Sequence, residues 1–454
     1  MTSAAAPKAA AIPRSAAELL IWPAADPVVG GVSMAVCALA AFTFLIISRL
    51  VDSFPSMHLA QVAGAVTIVA ALLLPRRAGA GLLDSADVRA VLALFGVAAI
   101  GAPLSIWRGG SFAHLVNVFA KAVLFFLLVV HCVRSVREAR IAVWSLLLAV
   151  FVLELGVVFM GAERLSGTYD RNDIAFVVAC TLPLSGMLFA DGAGAGKWLA
   201  GAIALLAAPT MVATQSRTGF VCLLVVGAVV VLRATRGRAM LRIGVVVAAL
   251  GIAIPFAPAS YWERIATLWG EAPRHATREN YDAAGFEAAR GRIWRNGLTI
   301  LAEHPLLGVG AGVFEVAEGR VHHGRGKWTT AHNSFLQVAV ELGLVGLALF
   351  VYLIYRAWRN ARDFAREAVR MPALVGDAWL GHALEISIYG YMLAGSALSQ
   401  GYSYLLYWLL GMAVAARRLA TESAAAAEPI TVQSEVLEST SRIRPARGRI
   451  VGGR

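Results

Sequence analysis

TTAHNSFLQVAVELGLVGLALFVYLIYRAWR, Thr329 to Arg359, holds an apolar run long enough to cross about 30 Å of hydrocarbon as a helix. It nevertheless opens on His332-Asn333-Ser334 and carries Glu341 in its first third, and each is costly in lipid. Asn333 and Ser334 have the side chains that cap a helix N-terminus. Glu341 lies nine residues beyond His332, two and a half turns deeper, so it cannot touch the histidine and is expected to bind backbone or a neighbouring helix. A supporting carboxylate under a polar helix mouth is the local reading. His332 at that mouth is either packed beside the cap or a reacting group.

Runs of the same kind recur at 28–48, 57–75, 87–105, 113–133, 141–160, 173–190, 197–213, 218–234, 242–258, 376–397 and 400–416, which with 332–355 predicts an all-α integral membrane protein of about 12 transmembrane helices. Composition agrees: of 454 residues 59% are apolar and 15% charged, and the mean hydropathy is +0.69. The four cysteines all fall inside apolar runs with no metal-type spacing, which excludes a disulfide or zinc framework.

The net charge of +12 is spread through short connectors at Arg76-Arg77, Arg134/Arg137/Arg140, Lys197, Arg233 to Arg242, Arg356 to Arg370 and Arg417-Arg418. That pattern suits topology and not a nucleic-acid surface. It places these connectors in the cytoplasm and divides the chain into a leader (1–27), membrane helices (28–258), a large external loop (259–331), further membrane helices (332–416) and a cytoplasmic tail (417–454). The tail is rich in Ala, Ser and Glu, lacks an apolar face, and reads as disordered.

The external loop is far longer than a simple connection requires and carries Arg264, Arg274, Arg278, Arg290, Arg292, Arg295, Arg320, Arg325 and Lys327 on the side where topology needs no cations. An anionic ligand is implied. Arg290 to Ala302 has helical periodicity and ends at His304-Pro305, after which LLGVGAGVF reads as a close-packed turn. Gly308, Gly310 and Gly312 suit either loop packing or close approach to a ligand. On the same face lie Trp107-Arg108, SGTYDRND (Ser166–Asp173) and TQSRTG (Thr214–Gly219). Arg217, in a minimal turn between two apolar spans, must place its guanidinium at the outer interface. Lys121 and Glu154, both mid-span, suggest a buried ion pair. Metal binding by His304, His322, His323 and His332 with Glu318 matches no zinc pattern, and no cofactor is expected.

Three stretches together resemble the O-antigen ligase and polymerase superfamily of bacterial envelope glycan assembly: ATQSRTGF (213–220), GRIWRNGLTILAEHPLLGVGAGVF (291–314) and AHNSFLQVAVELGLVGLALF (331–350). The resemblance implies a metal-independent inverting glycosyltransferase in the bacterial inner membrane, its active site facing the periplasm, with membrane lipids as its surroundings. It would move a glycan from an undecaprenyl-pyrophosphate carrier to an acceptor hydroxyl, either lipid A–core (a ligase, the favoured reading) or another carrier-linked glycan (a polymerase). The family's functional residues fall on Arg217, on Arg292 or Arg290, and on His332. The chemistry is coherent, because guanidinium groups bind a departing pyrophosphate bidentately without proton transfer and histidine can take or orient the acceptor's proton. A transporter of lipid-linked glycan is the alternative from a different class; it would concentrate polar residues near the bilayer midplane, whereas here they gather at one face.

Overall fold

The computed structural model describes residues 31–75, 81–161, 169–233, 278–321 and 328–442, with Gly244 and Trp262 besides. The leader, the expected span 242–258, Arg264, Arg274, His322, His323, Arg325, Lys327 and the end of the tail lie outside them. Among the described residues the regular structure is entirely helical: α1 (Met34–Ser48), α2 (Leu59–Leu72), α3 (Ala86–Gly101), α4 (Arg108–Cys132, with a π-helical turn at Leu115–Phe119), α5 (Val136–Met160), α6 (Arg171–Asp191), α7 (Gly196–Thr214), α8 (Arg217–Arg233), α9 (Arg278–Glu303), α10 (Phe314–Val321), α11 (Ser334–Ala368), α12 (Ala378–Gly395) and α13 (Tyr404–Arg442). Six of these segments, beginning at Ala86, Arg108, Val136, Arg171, Gly196 and Ser334, are long and apolar enough to cross a membrane, and α1, α2 and the apolar part of α8 are shorter apolar helices.

α6 is the central helix: 78% of its apolar window is buried, against 33% for α7 at the periphery. It packs on α7, α8 and α12, while α11 packs on α3, α12 and α13. Ion pairs, three of them with buried carboxylates, tie the bundle together at one end. Asp87 at the start of α3 accepts from the Arg356 guanidinium (2.7 and 3.1 Å) and from Asn360 (3.1 Å) on α11. Arg140 of α5 forks onto Asp377 (2.6 Å to each oxygen), Arg233 of α8 meets Glu385 of α12 (2.9 Å), and Arg417 pairs with Glu367. A carboxylate at this depth is tolerable because a guanidinium fork satisfies both of its oxygens.

One expectation fails here. Lys121 is exposed, whereas Glu154 is only 1% exposed and its Oε2 has no hydrogen-bond partner, so the two form no ion pair. The reason is packing: α5 lies against α1, α7 and α6 and not against the half of α4 that carries Lys121. The last helix, α13, runs from Tyr404 to Arg442.

Candidate functional site

The polar groups gather at the end of the bundle opposite the ion pairs, around a break in α11. Asn333 caps that helix, its Oδ1 accepting from the N–H groups of Phe335 (2.9 Å) and Leu336 (3.1 Å). Ser334, the other capping candidate, instead donates to the Leu398 carbonyl (2.6 Å) and accepts from the Gln400 N–H (2.8 Å), fastening the helix mouth to the α12–α13 connection.

Below the mouth the helix is interrupted at Gly343 (φ 70°, ψ −172°). The carbonyls that continuing helix would have used are taken by the glycine-rich loop: the N–H groups of Val309 and Gly310 donate to Val340 and Glu341 (2.9 Å each), and the Leu344 N–H donates to Pro305 (2.7 Å). Irregular backbone at membrane depth survives only where protein satisfies it. Contact is close enough that a Cβ on Gly308 would lie 2.4 Å from the Val340 oxygen and one on Gly343 2.2 Å from the Leu306 oxygen. Gly310 and Gly312, also at positive φ, abut Ser105 and His114, so these glycines serve packing.

Glu341 locks the junction. Its carboxylate accepts from the N–H groups of Gly312 (2.9 Å) and Phe314 (3.2 Å) and from the Tyr402 hydroxyl (2.8 Å). Its partners are therefore loop backbone and, through Tyr402, the α12–α13 connection.

Helix α9 then docks over the mouth. Ile293 and Ile300 join Val309, Val313, Phe314, Ala317, Ala331, Leu336 and Val340 in a second apolar cluster. Gly297 lies against Leu336, and Trp294 Nε1 donates to the Ala331 carbonyl (3.1 Å). Arg290, one helical turn before Trp294, therefore shares the face directed at the His332 turn. It is half-buried, and its charge acts on His332; Arg292 is exposed. Of the two loop arginines, Arg290 is the one whose charge reaches His332.

His332 is held in the left-handed region (φ 46°), a costly conformation for a residue with a Cβ, and its Nε2 lies 3.2 Å from the Thr330 hydroxyl. Burial above all, then the nearby Arg290 cation, pushes its pKa below the ordinary histidine value, with Asp170 opposing. The imidazole is consequently neutral near pH 7.

Asp170 belongs to the third part of the cluster. It caps α6, accepting from the N–H groups of Asn172 (2.6 Å) and Asp173 (2.8 Å). Asn172 accepts from the Ser216 hydroxyl (2.8 Å), and Arg171 reaches the Gln215 side chain (3.5 Å). The α7–α8 connection is as tight as its sequence requires: Gln215 turns at φ 51°, Ser216 accepts from the Gly219 N–H (3.1 Å), and Arg217 begins α8. Two helix N-termini with an arginine each, Arg171 on α6 and Arg217 on α8, thus stand side by side. From Asp173 the chain of contacts continues to Gln400 Nε2 (2.6 Å) and, through the Gln400 N–H, to Ser334 beside His332. Sequence reasoning passed over Arg171, Gln400 and Tyr402. Arg171 carried the same signal as Arg217, a cation at the border of an apolar run, but the other two announce nothing locally.

Among the described residues no group of three or more His, Cys, Asp or Glu is placed to hold a metal ion. His304 is exposed, and Glu318 accepts from Asn296 (3.2 Å).

Residues 202–351 match a protein-family model described as O-antigen ligase, within a chain whose helices include several long and apolar enough to cross a membrane. All three stretches that carried the resemblance fall inside the match. No curated protein matches the chain.

Proposed function

We propose that this chain belongs to the O-antigen ligase superfamily and is a metal-independent inverting glycosyltransferase, which moves a glycan from an undecaprenyl-pyrophosphate carrier to an acceptor hydroxyl at the periplasmic face of the bacterial inner membrane. The observation that carries this reading is the grouping of Arg171 and Arg217 at adjoining helix N-termini with a neutral His332 flanked by Arg290. About 12 transmembrane helices, with both termini cytoplasmic and the ion-paired end inward, complete the arrangement.

In the proposed reaction the acceptor oxygen attacks the anomeric carbon from the face opposite the leaving group, and the anomeric C–O bond to pyrophosphate breaks in the same displacement. Negative charge grows on the departing pyrophosphate, where permanently charged planar guanidinium groups and two helix dipoles stabilise it. Arg217 is the principal partner, with Arg290 closing from the external helix and Arg171 supplementing it. His332 takes or orients the acceptor proton, a role for which a neutral imidazole is needed. Asn333 keeps the helix mouth formed, and Glu341 keeps the glycine-rich loop seated beneath it.

Lipid A–core is the favoured acceptor, which makes the activity O-antigen ligation; polymerisation onto a second carrier-linked glycan uses the same donor chemistry. The test is to supply purified protein with carrier-linked glycan and, separately, with each acceptor. Extension of lipid A–core establishes ligation, extension of the carrier-linked acceptor establishes polymerisation, and export of glycan without transfer overturns the enzyme reading in favour of a transporter.

A further inference from the structure

A transferase acting between two lipid-anchored substrates has to hold two head groups, and the start of α6 separates two cationic sites. One side meets the α7–α8 turn: Arg171 reaches Gln215 and Asn172 accepts from Ser216, next to Arg217. The other meets α1 and α13. Asp173 accepts from Gln400, and Tyr169, just before the helix and within electrostatic reach of Asp173, lies beneath the Arg49 guanidinium, 4.7 Å from ring centroid to cation.

Arg49 ends α1 in the left-handed region (φ 59°), where a glycine is the usual choice, so the backbone there bears strain to keep this side chain. The guanidinium is 18% exposed, acts electrostatically on Tyr169 and Tyr404, and pairs with Asp52 at 3.0 Å, three residues along an exposed turn. A pairing of that kind is weak and exchangeable for a phosphate. The same turn exposes Leu50 (38%), Phe54 (52%) and Met57 (60%), and α2 beyond it presents Val62, Val66 and Val69 outward. A cation on a tyrosine ring, bordered by outward apolar side chains at the edge of the bundle, suits an anionic head group whose chains remain in lipid.

Resting on the glycosyltransferase reading above, we infer that Arg49, stacked on Tyr169 and flanked by the Leu50–Met57 turn, binds the phosphate of the lipid-anchored acceptor, on the opposite side of the α6 N-terminus from the donor pyrophosphate. Asp52 occupies the guanidinium until the acceptor arrives, and the acceptor hydroxyl is thereby brought toward the His332 turn.

The test has a binding arm and a turnover arm. Binding of lipid A–core to the purified protein in nanodiscs, without donor, is compared for wild type and Arg49→Gln, and in wild type for phosphorylated and dephosphorylated lipid. Loss of affinity by about tenfold on either change is expected; equal affinity in all combinations overturns the site. In turnover Arg49→Gln raises the acceptor KM by a similar factor and leaves the donor KM within twofold, whereas Arg49→Lys recovers part of it. A parallel rise in both KM values makes Arg49 a structural residue and overturns the assignment. Repeating the series with carrier-linked glycan as acceptor identifies which acceptor's phosphate is recognised. Because the binding arm needs no reaction, a failure of the glycosyltransferase reading and a failure of the Arg49 site give different results, and the phosphate comparison in wild type does not depend on how well the variant folds.

Discussion

The backbone N–H of Gly312 donates to the Glu341 carboxylate across 2.9 Å, joining the glycine-rich external loop to the interior of a broken membrane helix. Two further donors, the Phe314 N–H and the Tyr402 hydroxyl, converge on the same carboxylate. Glu341→Gln keeps the volume but turns an acceptor-only group into one whose NH2 faces donors. Leaving a buried donor unmatched costs about 1–3 kcal/mol. We expect a lowered unfolding midpoint in detergent together with lower transfer. An unchanged midpoint would show that the carboxylate is not what holds the loop.

The loop and the helix break form one unit, so their glycines should fail together. Gly308→Ala and Gly343→Ala each force a Cβ into positive φ and into carbonyl oxygens 2.4 and 2.2 Å away, on backbone that cannot step aside. Strain at positive φ alone is worth on the order of 1–3 kcal/mol. Each variant should lose stability or membrane expression, while Gly227→Ala, with open space at its Cβ, should lose neither; expression and thermal unfolding measure all three.

How much of this was readable beforehand differs between the bundle and the site. The apolar runs at 173–190 and 197–213 fall within a few residues of α6 and α7, because length and hydropathy are local properties that lipid reads directly. The helix in the external loop ends near His304-Pro305 as its sequence requires. The interruption at Gly343 was invisible: the run contains no proline, and the donors that make the break tolerable come from Val309 and Gly310, distant in sequence. For the same reason Glu341 could be expected to bind backbone or a neighbouring helix but not assigned a partner, and Lys121 and Glu154 were paired by depth although one side chain is exposed and the other buried. That Arg290 and not Arg292 lies near His332 is a tertiary fact, set by Trp294 holding one face of α9 against Ala331.

Transfer should survive chelation. In the proposed mechanism Arg217, Arg290 and Arg171 neutralise the pyrophosphate, and their charge does not depend on a bound ion. Incubation with EDTA followed by a rate measurement is expected to leave turnover within about twofold. Loss that zinc or magnesium restores would require a metal-assisted departure of the leaving group.

Arg217→Lys should be poor despite keeping the charge, because an ammonium cannot offer the planar pair of donors that a pyrophosphate oxygen pair accepts. A fall in kcat/KM of about 10²-fold is expected for loss of a preorganised donor to the developing charge. Arg292→Lys, at an exposed position, should stay near wild type, and Arg290→Lys should not. Steady-state rates at matched protein levels distinguish the three, and equal losses at Arg290 and Arg292 would contradict the assignment of Arg290.

His332 decides the acid side of the pH profile. Burial and the Arg290 cation favour its neutral form, so its folded-state pKa lies below the unfolded value of about 6.5. As pH falls through about 6.5 the unfolded chain takes up this proton first, and the folded protein loses stability in the window at and below that value; above it the residue contributes no pH dependence. Activity follows the same group by a different route. If neutral imidazole accepts or orients the acceptor proton, kcat/KM should stay level through pH 6.5 and decline only below it, and His332→Ala should abolish that limb while lowering transfer by about 10²–10⁴-fold. The substitution removes little packing from a half-buried residue at a helix mouth whose cap is Asn333, and it retains the positive-φ backbone requirement, so the variant should insert and fold. Measuring the pH dependence of kcat/KM for wild type, His332→Ala and Arg290→Gln tests both causes at once. Removing the Arg290 charge should move the acid limb upward toward the ordinary histidine value. An acid limb that stays in place in all three variants would assign it to another group and leave His332 as packing beside the cap.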